Sequence, residues 1–177
     1  MESLQYNAHN VVMGYREEYH ELIGRLLNLL TVHYGERLVT AAIFGSVARD
    51  TFRPDSDIDM LIIAGGLPVG RMKRVSEFEE NVERKLSVYL RELYMKMIYP
   101  HLSPVIKTVE EVNLGSPLFL DMTENLNILF DKDNFFRNYI DGLKEKMERL
   151  GSKRVYFKGG YYWLLKPDYK YGDIIDL

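Results

Sequence analysis

Apolar residues recur along this chain with two alternating periods, and the switches between them outline the fold. Residues 1–14 are polar and carry no regular period. From about residue 15, Tyr19, Leu22, Ile23, Leu26, Leu27 and Leu30 fall on one helical face, and Gly35 is placed to close that helix in a left-handed conformation. Residues 38–44 then form a short apolar, partly β-branched run that ends at Gly45 and reads as a buried strand. Residues 46–50 begin a short helix, residues 51–56 return the chain, and residues 58–63 form a second apolar strand closed by Gly65, Gly66 and Pro68. Helical spacing resumes through Val75, Phe78, Val82, Leu86, Tyr89, Leu90, Leu93 and Met97, which predicts a long helix over 70–97.

A third strand is expected over 102–109, where Pro104 points to an edge position or an irregular start. Residues 110–124 read as helix broken at Gly115-Ser116-Pro117, with Pro117 in the first turn of a new helix. A short strand follows at 126–130, then a helix over 133–150 capped by Asp133 and ended by Gly151. Apolar and aromatic runs on either side of Gly159-Gly160 predict a hairpin or an extended tail. This order predicts an α+β chain: a mixed β-sheet flanked by helices in two or three layers, with a C-terminal helix and hairpin. It is read as one domain over 1–177, with an N-terminal helical segment 1–35 and a basic aromatic tail 151–177.

The 177 residues suffice for one substantial core, and no apolar run approaches the roughly 20 residues that cross a bilayer. The N-terminal residues lack a basic start and an apolar stretch, so no signal peptide is read and a cytoplasmic protein is expected. Cysteine is absent, which removes disulfides, thiolate nucleophiles and Cys-based zinc sites. A net charge of −3 argues against a general nucleic-acid-coating protein. Bases nevertheless gather between 144 and 170, among them Lys153, Arg154, Lys158 and Lys166, interleaved with Tyr156, Phe157, Tyr161, Tyr162 and Trp163. That pattern suits stacking on a base or an RNA strand. The stronger expectation is packing of these rings on the sheet, over a sheet edge or at a homodimer contact.

The chemistry concentrates between the first two strands. Asp57 and Asp59 stand one residue apart, so on a strand their carboxylates project from the same face while Ile58 and Met60 face the core. Two carboxylates this close repel each other unless a cation neutralises them, and magnesium favours carboxylate and phosphate oxygens. Two such ions would activate an attacking hydroxyl and stabilise a leaving pyrophosphate. Gly45 allows close backbone approach to phosphate oxygens, Ser46 adds a hydroxyl, and Arg49 lies about one turn later, within reach of the same phosphates. The bland alternatives are an ordinary Gly-Ser turn, an exposed acidic strand edge, and pairing of Arg49 with Asp50 or Asp55.

Taken in order, Gly45-Ser46-Val47-Ala48-Arg49 and Ser56-Asp57-Ile58-Asp59-Met60-Leu61 resemble the small prokaryotic minimal nucleotidyltransferases of the DNA polymerase β-type superfamily. The specific likeness spans about residues 38–64. It implies transfer of a nucleoside monophosphate from a Mg-nucleoside triphosphate to a hydroxyl, with pyrophosphate released. Gly45, Ser46 and Arg49 would hold the triphosphate; Asp57 and Asp59 would be the catalytic magnesium ligands. Some members act as antitoxins that modify HEPN-type helical toxins, so the resemblance also implies a partner protein as acceptor. Active members place a further carboxylate on a later strand. The matching run here contains none, and Glu110 and Glu111, just beyond it, read as helix N-terminal residues favoured by the helix dipole. The competing expectation is therefore a nucleotide- or partner-binding regulatory module. His9, His20, His33 and His101 show no metal-ligand spacing among themselves; His20 and His33 read as structural or surface residues, and His101 precedes the third strand and can approach the site.

Overall fold

The apolar runs become strands β1 (Leu38–Ile43), β2 (Asp57–Ala64), β3 (His101–Lys107) and β4 (Asn127–Asp131), which pair in the order β3-β2-β1-β4. β1 runs antiparallel to β2 and to β4, while β2 and β3 are parallel. A parallel pair needs a crossover, and the long helical region between β2 and β3 supplies it. The computed structural model describes residues 3–171, 173 and 175, with side chains from residue 14 onward. The outermost parts of segments 1–35 and 151–177, and the His9 side chain, lie outside the described residues.

From Met60 to Ala64, β2 is apolar without interruption because both its faces are covered. Ile58, Met60, Ile62 and Ala64 join one core with the helix α1 (Ser3–Tyr34) and the crossover helices. Leu61 and Ile63 join a second core with the helices that follow β3. The result is three layers, helices on both sides of a mixed sheet.

The crossover is one continuous rod: α3 (Arg71–Phe78), a π-helical turn at Glu79–Glu83, and α4 (Arg84–Met95). Its buried residues Phe78, Val82, Leu86 and Leu90 repeat every four residues. A straight 3.6-residue helix would rotate such a row steadily off the sheet, and the extra residue in the π turn brings it back. α4 stops at Met95, so Met97 lies outside the expected helix, in a turn at φ 61°, and is exposed. α1 begins at Ser3, earlier than its apolar face announces.

On the other face, α5 (Val109–Asn113) and α6 (Pro117–Met122) are separated by the expected break, with Pro117 opening α6. The last long helix, α7 (Phe135–Leu150), is capped by Asp131 and not by Asp133. The Asp131 carboxylate accepts from the amides of Phe136 (3.1 Å) and Arg137 (3.0 Å) and from the hydroxyl of fully buried Thr40 (2.8 Å). Asp133 and Asn134 instead make the tight turn that lets β4 reach the helix, both at positive φ. Gly151 closes α7 in the left-handed conformation, as expected.

Pro104 does lie on an edge strand. Arg74 covers that edge: its Nη1 donates to Ile106 O (3.2 Å) while its guanidinium forks onto Glu111 at 2.6 and 3.0 Å. Finally β5 (Lys153–Phe157) and β6 (Gly160–Leu164) form an antiparallel hairpin around Lys158 and Gly159, both at positive φ as a two-residue turn requires. Packing accounts for only part of the aromatic tail. Trp163 and Leu165 join the second core, but Tyr156, Phe157, Tyr161 and Tyr162 remain exposed. No helix among the described residues is long and apolar enough to cross a membrane.

Candidate functional site

The candidate residues meet where β1 ends and β2 begins. Alternation along β2 puts Asp57 and Asp59 on the face that continues into Leu61 and Ile63, the side of the second core. Asp57 is exposed and Asp59 half-buried. The Phe44 amide donates to Asp59 O at 3.0 Å, extending the β1–β2 ladder one step and fixing the next residue, Gly45, beside the Asp59 side chain.

Gly45 has φ +71°, and a Cβ built there would stand 2.2 Å from Asp59 Oδ2. Backbone and carboxylate are thus in direct contact, and any side chain here would both strain the backbone and displace the Asp59 carboxylate. α2 (Gly45–Ala48) is a single turn, so what it offers an anion is individual amides and not an accumulated dipole. Among the described residues the Ser46 hydroxyl has no hydrogen-bond partner, while its carbonyl accepts from the Thr51 amide at 3.0 Å. Arg49 caps the turn, its amide donating to Gly45 O (3.2 Å), and its side chain is exposed. The two acids available to it in sequence are engaged elsewhere: Asp50 pairs with Arg16, and Asp55 with Arg53 at 3.3 Å. The Arg49 charge instead bears on Asp59 and on Tyr161 of β6.

Burial, and then the neighbouring Asp57 charge, holds the Asp59 carboxyl above the usual carboxylate range. The Ser103 hydroxyl and Arg49 act the other way, favouring the charged form. A partly desolvated carboxylate beside a second carboxylate is a pair that a bound cation would stabilise. Among the sequence-chosen residues, Asp57 and Asp59 are therefore the two that can hold a hard cation.

The register answers where the neighbouring strand contributes. Asp57 lies opposite His101 and Asp59 opposite Ser103. Ser103, which sequence reading passed over, occupies the position where a further carboxylate was sought. Glu110 and Glu111 sit past Lys107, itself opposite Ile63, so they lie more than about 13 Å along the sheet from the aspartates. Glu111 forms a capping box with Thr108 and pairs with Arg74, the helix N-terminal role expected of it. Among the described residues no three of His, Asp and Glu converge as a metal site. His33 is structural, its ring 3.0 Å from Glu77.

The anchors of the loop before Asp57 were also missed as functional residues. Tyr15 and Tyr19 of α1 donate to Phe52 O (3.1 Å) and Ser56 O (2.6 Å), and Phe52 packs into both rings. With Arg16–Asp50, these contacts fix both ends of the loop to the helix, and hence the start of β2. The signal was present: Tyr15 and Tyr19 share the apolar face of α1, a position where a hydroxyl must find a partner.

Residues 23–111 match the family model described as a nucleotidyltransferase domain. A Methanocaldococcus jannaschii protein described as a candidate protein adenylyltransferase is 30% identical over 122 residues, covering 66% of this chain and 75% of that protein. Among solved structures, a toxin–antitoxin complex with AMP-PNP aligns with TM-score 0.44 and 15% identity, over 72% of this chain and 91% of that one. A candidate nucleotidyltransferase of Sulfolobus solfataricus aligns with TM-score 0.43 and 15% identity, over 70% and 89%. The family match covers half of the chain, and the chain belongs to the nucleotidyltransferase domain family.

Proposed function

We propose that this protein transfers the AMP moiety of ATP to a hydroxyl of a partner protein, releasing pyrophosphate. The observation that carries the reading is the Gly45 turn pressed against the Asp59 carboxylate, which sets a phosphate-accepting backbone and a carboxylate pair side by side. The relative described as a candidate protein adenylyltransferase supports adenylate as the transferred group and protein as the acceptor class.

Gly45 and Ser46 would receive the triphosphate through backbone amides and the unpaired Ser46 hydroxyl, with Arg49 closing on the phosphates from the exposed side. Asp57 and Asp59 fit magnesium: both are hard oxygen donors, and Asp59 is held above the usual carboxylate range by burial and by its neighbour's charge. When bound, that ion would supply charge neutralisation for the phosphates and for the oxygen that attacks. In the reaction a hydroxyl oxygen of the acceptor bonds to the α-phosphorus, and the bond from that phosphorus to the pyrophosphate oxygen breaks. The hydroxyl proton passes to solvent water as the new bond forms. Exposed Asp57 is the carboxylate with access both to solvent and to an arriving protein side chain.

Ser103 supports a second reading. With a hydroxyl where a further carboxylate was expected, the site would bind a nucleotide and regulate a partner by association, with little turnover. A HEPN-type helical toxin, the partner implied by family resemblance, would serve either reading.

The test incubates the protein with α-labelled ATP, magnesium and a lysate of its own host, and repeats it with Asp57→Asn/Asp59→Asn. A protein band labelled by wild type and not by the double variant supports transfer. Magnesium-dependent ATP binding without any labelled band would favour the binding module, and absence of ATP binding would overturn both readings.

A further inference from the structure

The C-terminal hairpin stands over the same face of the sheet as the two aspartates. Trp163 and Leu165 pack into the second core together with Leu61 of β2 and Phe44, the residue before Gly45. The hairpin register then decides which side chains look toward that face. Arg154 pairs with Trp163 and Tyr156 with Tyr161, and alternation places all four on one side. At the inner end of that side, the Asp121 carboxylate on α6 accepts from Trp163 Nε1 (2.8 Å) and Arg154 (3.2 Å), and Arg154 also reaches Glu124 at 3.0 Å. These contacts dock the hairpin firmly. At the outer end the same side continues as Tyr161 and Tyr156, ring centroids 5.9 Å apart, and no residue of the core covers them.

Tyr161 is held as a flat platform. The Arg154 guanidinium lies 4.2 Å from its ring centroid, yet the residue is 43% exposed, and Tyr156 is 73% exposed. Trp163, on the same side of the hairpin as Tyr161, packs into the core that includes Phe44, the residue before the Gly45-Ser46 turn, so the hairpin carries that ring toward the turn, and the Arg49 charge reaches it. A planar ring backed by a guanidinium, next to phosphate-binding groups, is the surface on which a nucleobase stacks.

We infer that Tyr161, supported by Arg154 and flanked by Tyr156, is the wall against which the base of the bound nucleoside triphosphate stacks. The inference rests on the nucleotide site proposed above and adds to it the element that recognises the base. Stacking needs only a π face, so it favours the larger purine rings over pyrimidines without reading their edges. Asp121 acts here as a positioning residue, through the hairpin it anchors.

Two probes separate this claim from the claim that a nucleotide site exists: Mg-ATP, and Mg-tripolyphosphate, which has phosphates and no base. Affinities are measured by calorimetry on the full chain, and the chain's single tryptophan, Trp163, reports in parallel on the hairpin. Tyr161→Ala is expected to weaken Mg-ATP about tenfold and to leave tripolyphosphate unchanged, while Tyr161→Phe keeps ATP affinity. Tyr161→Leu, which keeps apolar volume without a π face, should behave as the alanine variant does. It serves as the readout if a shifted Trp163 emission shows that alanine undocks the hairpin. Wild-type ATP affinity in both Tyr161→Ala and Tyr161→Leu would overturn the inference, as would equal losses for the two probes. If those variants bind ATP normally but fail to label the acceptor, the hairpin is an acceptor-docking arm and the base-stacking role is wrong. If wild type binds neither probe, the nucleotide site itself fails and the inference falls with it.

Discussion

Replacing Gly45 by alanine adds one methyl group, and the geometry fixes what that methyl meets. Its Cβ would stand 2.2 Å from Asp59 Oδ2, 3.1 Å from Cγ and 3.3 Å from Cβ, where ordinary contact begins at 3.4 Å. The carboxylate must therefore retreat by about 1 Å, a misplacement that costs on the order of 100-fold in rate at a catalytic group. Alanine at φ +71° also strains the backbone by about 1–2 kcal/mol. In a chain of this length that lowers the melting midpoint by about 2–8 °C.

Gly35 separates the two effects. It too has positive φ, +52°, but a Cβ there meets nothing within 4 Å. Gly35→Ala should lose a similar amount of stability and keep its affinity for Mg-ATP. Gly45→Ala should lose both, with affinity at least about tenfold weaker, because Asp59 no longer stands beside the turn. In an Asp59→Ala background most of the clash disappears, so adding alanine at position 45 should cost little beyond the backbone strain. Thermal melts with calorimetric Mg-ATP titrations measure all of this. The reasoning is refuted if Gly45→Ala binds Mg-ATP as tightly as Gly35→Ala does.

Three further outcomes are expected. Asp59→Asn should raise the melting midpoint in EDTA at pH 7 while abolishing stabilisation by Mg-ATP. Because the folded protein holds Asp59 above its unfolded value, the wild type loses stability as pH rises through the folded value, so the advantage of Asn should shrink in melts at acid pH. Tyr19→Phe removes the bond to the half-buried Ser56 carbonyl; a loss of about 0.5–1.5 kcal/mol is expected in urea unfolding, with weaker Mg-ATP binding because the start of β2 loosens. Asp131→Ala removes the cap of α7 and the partner of buried Thr40 together, and should cost about 2 kcal/mol by the same measurement without altering Mg-ATP affinity.

Much of this fold is legible because its two periods are clean. β2 reads as buried since both faces are covered, and the site is visible because two aspartates interrupt that apolar run at one end. What escaped depends on contacts between distant segments. Asp133 sits where a local cap belongs, but Asp131 takes the role because a left-handed pair at 133 and 134 turns the strand end over the first amides of α7. The π turn was hinted at by the four-residue spacing of Phe78, Val82, Leu86 and Leu90, a row that an unbroken helix cannot keep on one face. The β2–β3 register is not written in either strand alone, so nothing in the sequence set Ser103 beside Asp59. The exposed tyrosines of the hairpin follow from a docking contact with Asp121 that no periodicity encodes.

Ser103 bears on how such a site remains affordable to the empty protein. Asp59 already carries the cost of partial burial and of the Asp57 charge one residue away on the same face. A third carboxylate opposite it would add a further repulsion in the same poorly solvated place, relieved only while a cation is bound. A hydroxyl there does the reverse, since it favours the ionised carboxylate, and Arg49 adds to that from outside. The Asp59 carboxylate is then less costly to keep ionised for a cation. The same substitution removes one oxygen donor from the cation, so tight binding should require the triphosphate to complete the ligand set. A protein built this way would hold its metal mainly together with its nucleotide, and its charge balance would be restored only in the loaded state.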